Sequence, residues 1–204
     1  MIAIIDYGLG NIRAFANVYK KMNIPIIIAT TVDDLKNASR VILPGVGAFD
    51  QAMKKLNGSG LRQYLEEIVL YRHVPLLGVC VGMQILARSS EEGSLSGLGW
   101  IDGEVRKLKP GTTMNSSILP HMGWNDIHPV IINPLFQGID RGARFYFLHS
   151  YYFHCQKKDN VLAVTNYGGE FASAVNSGNI FGVQFHPEKS HQYGIRLLEN
   201  FTKV

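Results

Sequence analysis

The sequence predicts an α/β fold: an open, mostly parallel sheet with helices on both faces, extended by antiparallel strands in the C-terminal half. In the first half, short apolar runs bounded by glycine and proline alternate with longer stretches of helical character. Fully apolar runs are typical of parallel strands, because both faces of such strands are buried. In the second half, Gly-Gly and Asn-Ser-Gly turns separate strand-like runs, as in antiparallel hairpins.

The elements follow in order along the chain. The predicted strands of the first half cover residues 2–5, 24–29, 40–43 and 74–79, and the helices between them cover residues 12–22, 49–56 and 61–71. The predicted strands of the second half cover residues 100–108, 144–153, 161–167, 171–176 and 180–185, and a helix at residues 193–201 closes the chain. Because no linker or internal repeat interrupts this pattern, we expect residues 1–204 to form a single domain.

Composition excludes several classes of protein. With 204 residues, 46% hydrophobic and 18% charged, the chain is far from a disordered composition. The formal charge of +4 is spread along the sequence, so we expect no nucleic-acid partner. No apolar stretch reaches the length of a membrane span, and the N-terminus lacks signal-peptide features. Two cysteines form neither a disulfide framework nor a zinc motif, so we expect a cytoplasmic protein without a metal.

One strand-to-helix turn carries the first candidate catalytic residue. A buried apolar run leads into Gly78-x-Cys80-x-Gly82, the spacing of a nucleophile elbow with cysteine in place of serine. We expect the turn to expose the Cys80 sulfur at a helix N-terminus, which favours the thiolate. The N–H of Val81 would point to a developing oxyanion. Taken alone, the pattern fits a buried structural cysteine equally well.

A candidate base stands near the other end of the chain. An apolar run ends at His186, and Glu188 follows two residues later across a proline. A thiol nucleophile needs an imidazole to take its proton, and the imidazole needs a carboxylate to fix its tautomer. Residues i and i+2 of an extended backbone face the same way, so Glu188 can meet His186. An isolated His-x-Glu would more often be structural, and its pairing with Cys80 favours catalysis.

A third segment, Pro44-Gly-Val-Gly47, follows the predicted strand at residues 40–43. It lies at the same edge of the sheet as the elbow. Its two glycines allow the backbone to turn an N–H toward an oxyanion, although a glycine pair also fits an ordinary strand-to-helix turn.

With these segments in this order, the chain resembles the triad-type glutamine amidotransferase family over essentially its whole length. The motifs that carry the resemblance are Ile5-Asp-Tyr-Gly-Leu-Gly-Asn11, Pro44-Gly-Val-Gly47, Gly78-Val-Cys-Val-Gly-Met-Gln84, Pro120-His-Met-Gly-Trp-Asn125, His149-Ser-Tyr151 and Phe185-His-Pro-Glu188. The resemblance implies that Cys80 forms a glutamyl thioester, that His186 is the acid and base, and that Glu188 orients His186. No cofactor is implied.

The same resemblance implies further site residues. Oxyanion N–H groups would come from Gly47 and Val81, and the glutamine pocket would be lined by Gln84, Ser150 and Tyr151. The resemblance also implies that three residues match family positions on a partner-docking face or along the ammonia path: Asn11, Trp124 and Lys189.

The resemblance also implies a partner. We expect the glutaminase domain to use the whole chain, so that ammonia passes through a protected channel to a docked (β/α)8-barrel cyclase subunit (HisF-like), in a heterodimer. The segment at residues 120–125 points to histidine biosynthesis, in which the pair makes imidazole glycerol phosphate and AICAR, with glutaminase activity low until docking. The alternative is a paralogue that supplies ammonia to a sugar-amidating enzyme of surface polysaccharides. A non-catalytic module and a cysteine hydrolase of another substrate are less favoured by the three segments together.

Overall fold

The computed structural model describes residues 1–109 and 118–204. Its strands are β1 (Ile2–Ile5), β2 (Ile26–Ala29), β3 (Arg40–Gly45), β4 (Leu76–Cys80), β5 (Gly103–Lys107), β6 (His121–Asp126), β7 (His128–Pro129), β8 (Arg144–His149), β9 (Tyr151–Cys155), β10 (Val161–Asn166), β11 (Glu170–Ser177) and β12 (Ile180–Val183). Its α-helices are α1 (Ile12–Lys21), α2 (Val32–Leu35), α3 (Phe49–Gly58), α4 (Arg62–Glu66), α5 (Val81–Gln84) and α6 (His191–Phe201). Short 3-10 turns lie at Pro134–Phe136, Lys158–Asn160 and Pro187–Lys189.

The main sheet is parallel on one side and antiparallel on the other. Its strands follow the order β2-β1-β3-β4-β12-β11-β10-β7. All pairs from β2 to β12 are parallel, and the pairs beyond β12 are antiparallel. Strand β9 branches from this sheet by pairing with both β11 and β5, while β6 and β8 form a separate two-stranded sheet. The predicted α/β class with an antiparallel C-terminal half is therefore confirmed.

The parallel strands bring three distant segments to one edge. Strand β4 lies between β3 and β12, with Gly45 opposite Cys80 and Val183 opposite Val79. Every residue of β1, β4 and β12 is buried, because helices cover both faces of the sheet. The closing helix is tied to α1 by the Tyr19 hydroxyl, which donates to the Leu198 carbonyl at 3.1 Å.

The structure changes three of the predicted elements. The helix expected at residues 61–71 is α4 followed by a π-helical turn at Glu67–Tyr71. The strand expected at residues 144–153 breaks at Ser150, and its halves β8 and β9 join different sheets. Strand β3 continues through Pro44 and Gly45, because Gly45 pairs with the end of β4, so the predicted oxyanion loop begins only at Val46. None of the helices in the described residues is both long and apolar enough to cross a membrane.

Candidate active site

The turn from β4 into α5 holds Cys80 in a conformation that few residues adopt. Its backbone has φ 55° and ψ −114°, a strained geometry that persists only where the surroundings enforce it. A Cβ added at Gly78 would lie 2.7 Å from the Gly82 carbonyl oxygen, and one added at Gly82 would lie 1.9 Å from the Leu43 carbonyl oxygen. Both glycines are therefore required by close backbone packing, as their spacing predicts.

The prediction of an exposed sulfur is wrong, because Cys80 is only 4% exposed. The carbonyl of Leu148 on β8 lies 3.9 Å from Sγ, so the small sheet covers the elbow. Cys80 still precedes the first residue of α5 and lines a cavity.

His186 and Glu188 form a buried pair beside Cys80. The Nδ1 atom of His186 lies 3.0 Å from Oε1 of Glu188, and the two side chains are 5% and 1% exposed. Because Nδ1 faces the carboxylate, Nε2 is the nitrogen left to face Cys80. Burial lowers the pKa of His186, but hydrogen bonds and charge interactions with Cys80 and Glu188 outweigh burial and raise the pKa to about 10. The pair therefore favours a protonated imidazole at His186.

Neighbouring elements fix the position of the imidazole. The backbone N–H of His186 donates to the Tyr146 carbonyl of β8 at 2.8 Å. The Ser190 hydroxyl donates to the His186 carbonyl at 2.6 Å and accepts from the Tyr146 N–H at 3.0 Å. The histidine lies three residues beyond Val183, the last residue of β12, rather than at the strand end that the sequence predicts.

A cavity of about 250 Å³ unites most of the predicted site residues. The residues that line it are Val46, Gly47, Cys80, Val81, Gln84, Glu92, Pro120, Leu148, His149, Ser150, Tyr151, His186 and Lys189. Glu188 lies behind His186, and neither Asn11 nor Trp124 lines this cavity. A larger open groove of about 670 Å³ beside Lys54 and Lys55 contains none of the predicted site residues, so the smaller cavity is the candidate active site.

The end of β3 forms one wall of this cavity. A Cβ at Gly45 would lie 2.3 Å from the Gly82 backbone nitrogen, so β3 and α5 are in direct backbone contact. Gly47 has φ +85°, a conformation that glycine adopts without strain. The Tyr7 hydroxyl donates to the Pro44 carbonyl at 2.8 Å, and burial together with the nearby Cys80 raises the Tyr7 pKa above its ordinary value. Tyr7 thus anchors the wall close to the sulfur.

Sequence reasoning missed two side chains at the site, Glu92 and Gln184. Among the described residues that line the cavity, Glu92 is the single carboxylate, and its Oε2 accepts from the Phe49 N–H at 2.8 Å. Glu92 lies in a polar loop without a motif, so no local signal indicated it. Gln184 is fully buried, and its Nε2 lies 3.8 Å from Cys80 Sγ. An amide between Val183 and Phe185 in an apolar run is the signal that could have found it.

Of the residues predicted to face a partner, Lys189 lines the cavity, whereas Trp124 and Asn11 lie outside it. Trp124 is 38% exposed and stacks on His191 at a centroid distance of 5.0 Å. The Nζ atom of Lys189 lies 5.5 Å from the centre of the Tyr146 ring. Asn11 immediately precedes α1. Exposed apolar side chains on the adjoining strands, Met122 and Leu148, extend the same surface.

The described residues contain no group of three or more His, Cys, Asp or Glu side chains placed to hold a metal ion. The second cysteine, Cys155, is half-buried on β9, and burial raises the pKa of its thiol to about 12. A thiol with such a pKa is a poor nucleophile at neutral pH, which leaves Cys80 as the candidate.

Comparisons with known proteins identify relatives over the full chain. The family model for class-I glutamine amidotransferases matches residues 3–204. The chain is 56% identical to the imidazole glycerol phosphate synthase subunit HisH of Bdellovibrio bacteriovorus and 50% identical to that of Leptospira borgpetersenii, covering 100% of both chains in each case. A solved chain of PurLQS from Thermotoga maritima shares the fold with a TM-score of 0.72 at 18% identity, covering 99% of this chain and 97% of that one.

Proposed function

The chain belongs to the class-I glutamine amidotransferase family, and from that premise we propose that it is the glutaminase subunit of an imidazole glycerol phosphate synthase. It hydrolyses L-glutamine to glutamate and ammonia, and acts in histidine biosynthesis as a single cytoplasmic domain, residues 1–204. The observation that carries the proposal is the meeting of Cys80 with the His186–Glu188 pair at one cavity. The names of the full-length relatives favour the histidine pathway over sugar amidation.

The first half of the reaction forms a thioester. In the starting pair His186 already holds the thiol proton at Nε2, and the Cys80 sulfur attacks the carboxamide carbon of glutamine. The N–H groups of Val81 and Gly47, both at the cavity wall, would donate to the oxyanion of the tetrahedral intermediate. The C–N bond then breaks, and His186 returns the proton to the departing nitrogen, which leaves as ammonia.

The second half releases glutamate. A water molecule attacks the thioester carbonyl, and His186 takes one of its protons at Nε2. The C–S bond breaks, the sulfur leaves as a thiolate, and the imidazolium beside it restores the starting pair. Throughout, the Glu188 carboxylate accepts from Nδ1–H at 3.0 Å, which keeps Nε2 facing the sulfur and stabilises the imidazolium.

The cavity offers groups that suit the two ends of glutamine. The substrate side chain has to enter the cavity that holds the Cys80 sulfur. The wall of this cavity includes Gln84, Ser150 and Tyr151. The Glu92 carboxylate lines the same cavity, and among the described residues a hydrogen bond reaches its Oε2, from Phe49, but none reaches its Oε1. We assign Glu92 to the α-ammonium group of the substrate, because it is the single carboxylate among the described residues that line the cavity and a carboxylate attracts a cation.

The surface around the cavity suits a docked synthase subunit. Trp124, Met122 and Leu148 expose apolar area next to one another, as in the centre of many protein interfaces. Free ammonia is largely protonated at neutral pH, so it has to pass directly to its acceptor. We propose that a (β/α)8-barrel cyclase subunit covers this face, with Asn11, Trp124 and Lys189 at the interface or along the ammonia path, and converts the ammonia into imidazole glycerol phosphate and AICAR.

Glutamate release from glutamine tests the proposal. The wild-type chain and Cys80→Ala are compared alone and with a cyclase subunit of the histidine pathway carrying its ligand. We expect strong stimulation of the wild type by the partner and no release by Cys80→Ala. Hydrolysis that depends on Cys80 but is stimulated only by a sugar-amidating partner would contradict the histidine assignment. Release by Cys80→Ala at the wild-type rate would contradict the mechanism.

A further inference from the structure

A line of buried polar side chains runs beside the triad, and the mechanism above does not explain it. Gln184, Gln84, His149 and His121 are each 6% exposed or less. Most buried polar groups in proteins are hydrogen-bonded. Their hydrogen-bond partners therefore determine the orientation of each side chain. A partner that can only accept, or only donate, a hydrogen bond fixes which atom of the side chain faces it.

The carbonyl of Tyr151 is the fixed point, because a carbonyl can only accept. It lies 2.8 Å from Nδ1 of His149, so Nδ1 carries the proton and Nε2 of that ring is an acceptor. His121 then donates from Nδ1 to this Nε2 at 2.9 Å, and its own Nε2 faces the Asn125 amide at 3.2 Å. Burial lowers the pKa of His149 to about 3 and that of His121 to about 4, so both rings are neutral and this pattern is stable.

The same carbonyl fixes the other end of the line. It also accepts from the Gln84 amide nitrogen at 3.0 Å, and the second proton of that nitrogen goes to Oε1 of Gln184 at 3.0 Å. With its oxygen occupied by Gln84, Gln184 has only its amide nitrogen to turn toward Cys80. That nitrogen lies 3.8 Å from the sulfur, within the range of hydrogen bonds to sulfur.

We propose that Gln184 is a catalytic residue that donates a hydrogen bond to the Cys80 sulfur and stabilises the thiolate. Gln84, fixed by the Tyr151 carbonyl, is the positioning residue that keeps the nitrogen of Gln184 and not its oxygen against the sulfur. An amide oxygen at that place would repel the thiolate, so the orientation decides the sign of the effect. The inference rests on the proposed role of Cys80 as nucleophile.

Alkylation of the intact chain by iodoacetamide measures the reactivity of Cys80 without requiring glutamine hydrolysis. Gln184→Met keeps the side-chain length and removes the donor. Because hydrogen bonds to charged groups stabilise them appreciably, we expect Cys80 to be alkylated about tenfold more slowly at neutral pH. We also expect the midpoint of the pH profile of the alkylation rate to rise by about one pH unit. The matched control is Asn200→Leu, which removes another buried amide, one that donates to the Leu135 and Gln137 carbonyls; it should lower Tm and leave alkylation unchanged.

A second variant keeps the test decisive if Gln184→Met does not fold. Gln84→Met leaves Gln184 in place but frees its amide to turn, so alkylation should slow by about threefold. Folded variants that alkylate at the wild-type rate, with an unchanged pH midpoint, would overturn the inference while leaving the glutaminase assignment intact. Slower alkylation in a chain that never releases glutamate would support the inference and contradict the proposed function.

Discussion

Replacing Glu188 by glutamine isolates the charge of the carboxylate from its hydrogen bond. In the wild type, Oε1 accepts from Nδ1 of His186 at 3.0 Å, and the carboxylate side chain is 1% exposed. In Glu188→Gln the amide oxygen can still accept from Nδ1–H, so the tautomer of the imidazole is retained. What is lost is the stabilisation of the imidazolium that forms each time His186 takes a proton.

The expected magnitude follows from the two kinds of hydrogen bond. A bond to a charged group contributes about 1.5–3 kcal/mol and a neutral one about 0.5–1.5 kcal/mol. The difference of about 1–2 kcal/mol corresponds to a fall in kcat of about 5- to 30-fold. Glu188→Ala removes the bond and the tautomer control together, so its kcat should fall by about 100-fold or more. KM should change little in both variants, because Glu188 does not line the cavity.

The assay is glutamate release under stimulation by the cyclase subunit, measured over a range of glutamine concentrations. Circular dichroism and Tm have to show that both variants are folded, since Oε2 of Glu188 is buried and has no hydrogen-bond partner among the described residues. The glutamine nitrogen would take that place and lower Tm somewhat. A variant that is folded with wild-type kcat, or one in which only KM rises, would refute the role assigned to Glu188.

Substitutions at Glu92, Gly82 and His186 test the substrate contact, the elbow packing and the charge of the imidazole. Glu92→Gln retains the acceptor for the Phe49 N–H but removes the charge offered to the α-ammonium group, so KM for glutamine should rise by about 10-fold or more with little change in kcat; an unchanged KM would exclude that contact. Gly82→Ala puts a methyl group 1.9 Å from a backbone oxygen and should lower the free energy of unfolding, measured in urea melts, by about 1–3 kcal/mol. The control is Gly58→Ala on helix α3, which should be neutral or stabilising because the added Cβ meets nothing within 4 Å. The pKa of His186 in the folded chain is raised to about 10, so His186 should stabilise the fold fully below about pH 6.5 and lose that contribution as the pH rises through about 10. The free energies of unfolding of the wild type and His186→Gln are compared across this range. A wild-type advantage in free energy that grows with pH would contradict this sign.

The sequence predicted those features of the site that depend on backbone geometry. The spacing Gly78-x-Cys80-x-Gly82 predicted a tight elbow because only glycine allows the contacts that the structure shows around it. The His186–Glu188 pairing followed from the i and i+2 spacing and is confirmed as a hydrogen bond of 3.0 Å. Apolar runs located the parallel strands to within a few residues, because a strand that is buried on both faces consists mostly of apolar residues.

The features that were missed depend on contacts between distant segments. Residues 144–153 are apolar on both sides of Ser150, so nothing local indicated that β8 would pair with β6 and β9 with β5 and β11. Strand β6 itself was not predicted, since a glycine and mixed polar residues interrupt any alternation. The burial of Cys80 depends on β8 lying over the elbow, and the place of Glu92 depends on a loop crossing to Phe49.

The central claim is that Cys80 forms the covalent intermediate, and labelling with a glutamine-like alkylator tests it most directly. After incubation with the alkylator, mass spectrometry of peptides from the wild-type chain locates and counts the adduct, while glutamate release is followed in the same sample. We expect one equivalent of label on Cys80, a proportional loss of glutaminase activity, and slower labelling in the presence of added glutamine. Labelling of Cys155 in its place, or full activity in a chain whose Cys80 is blocked, would contradict it.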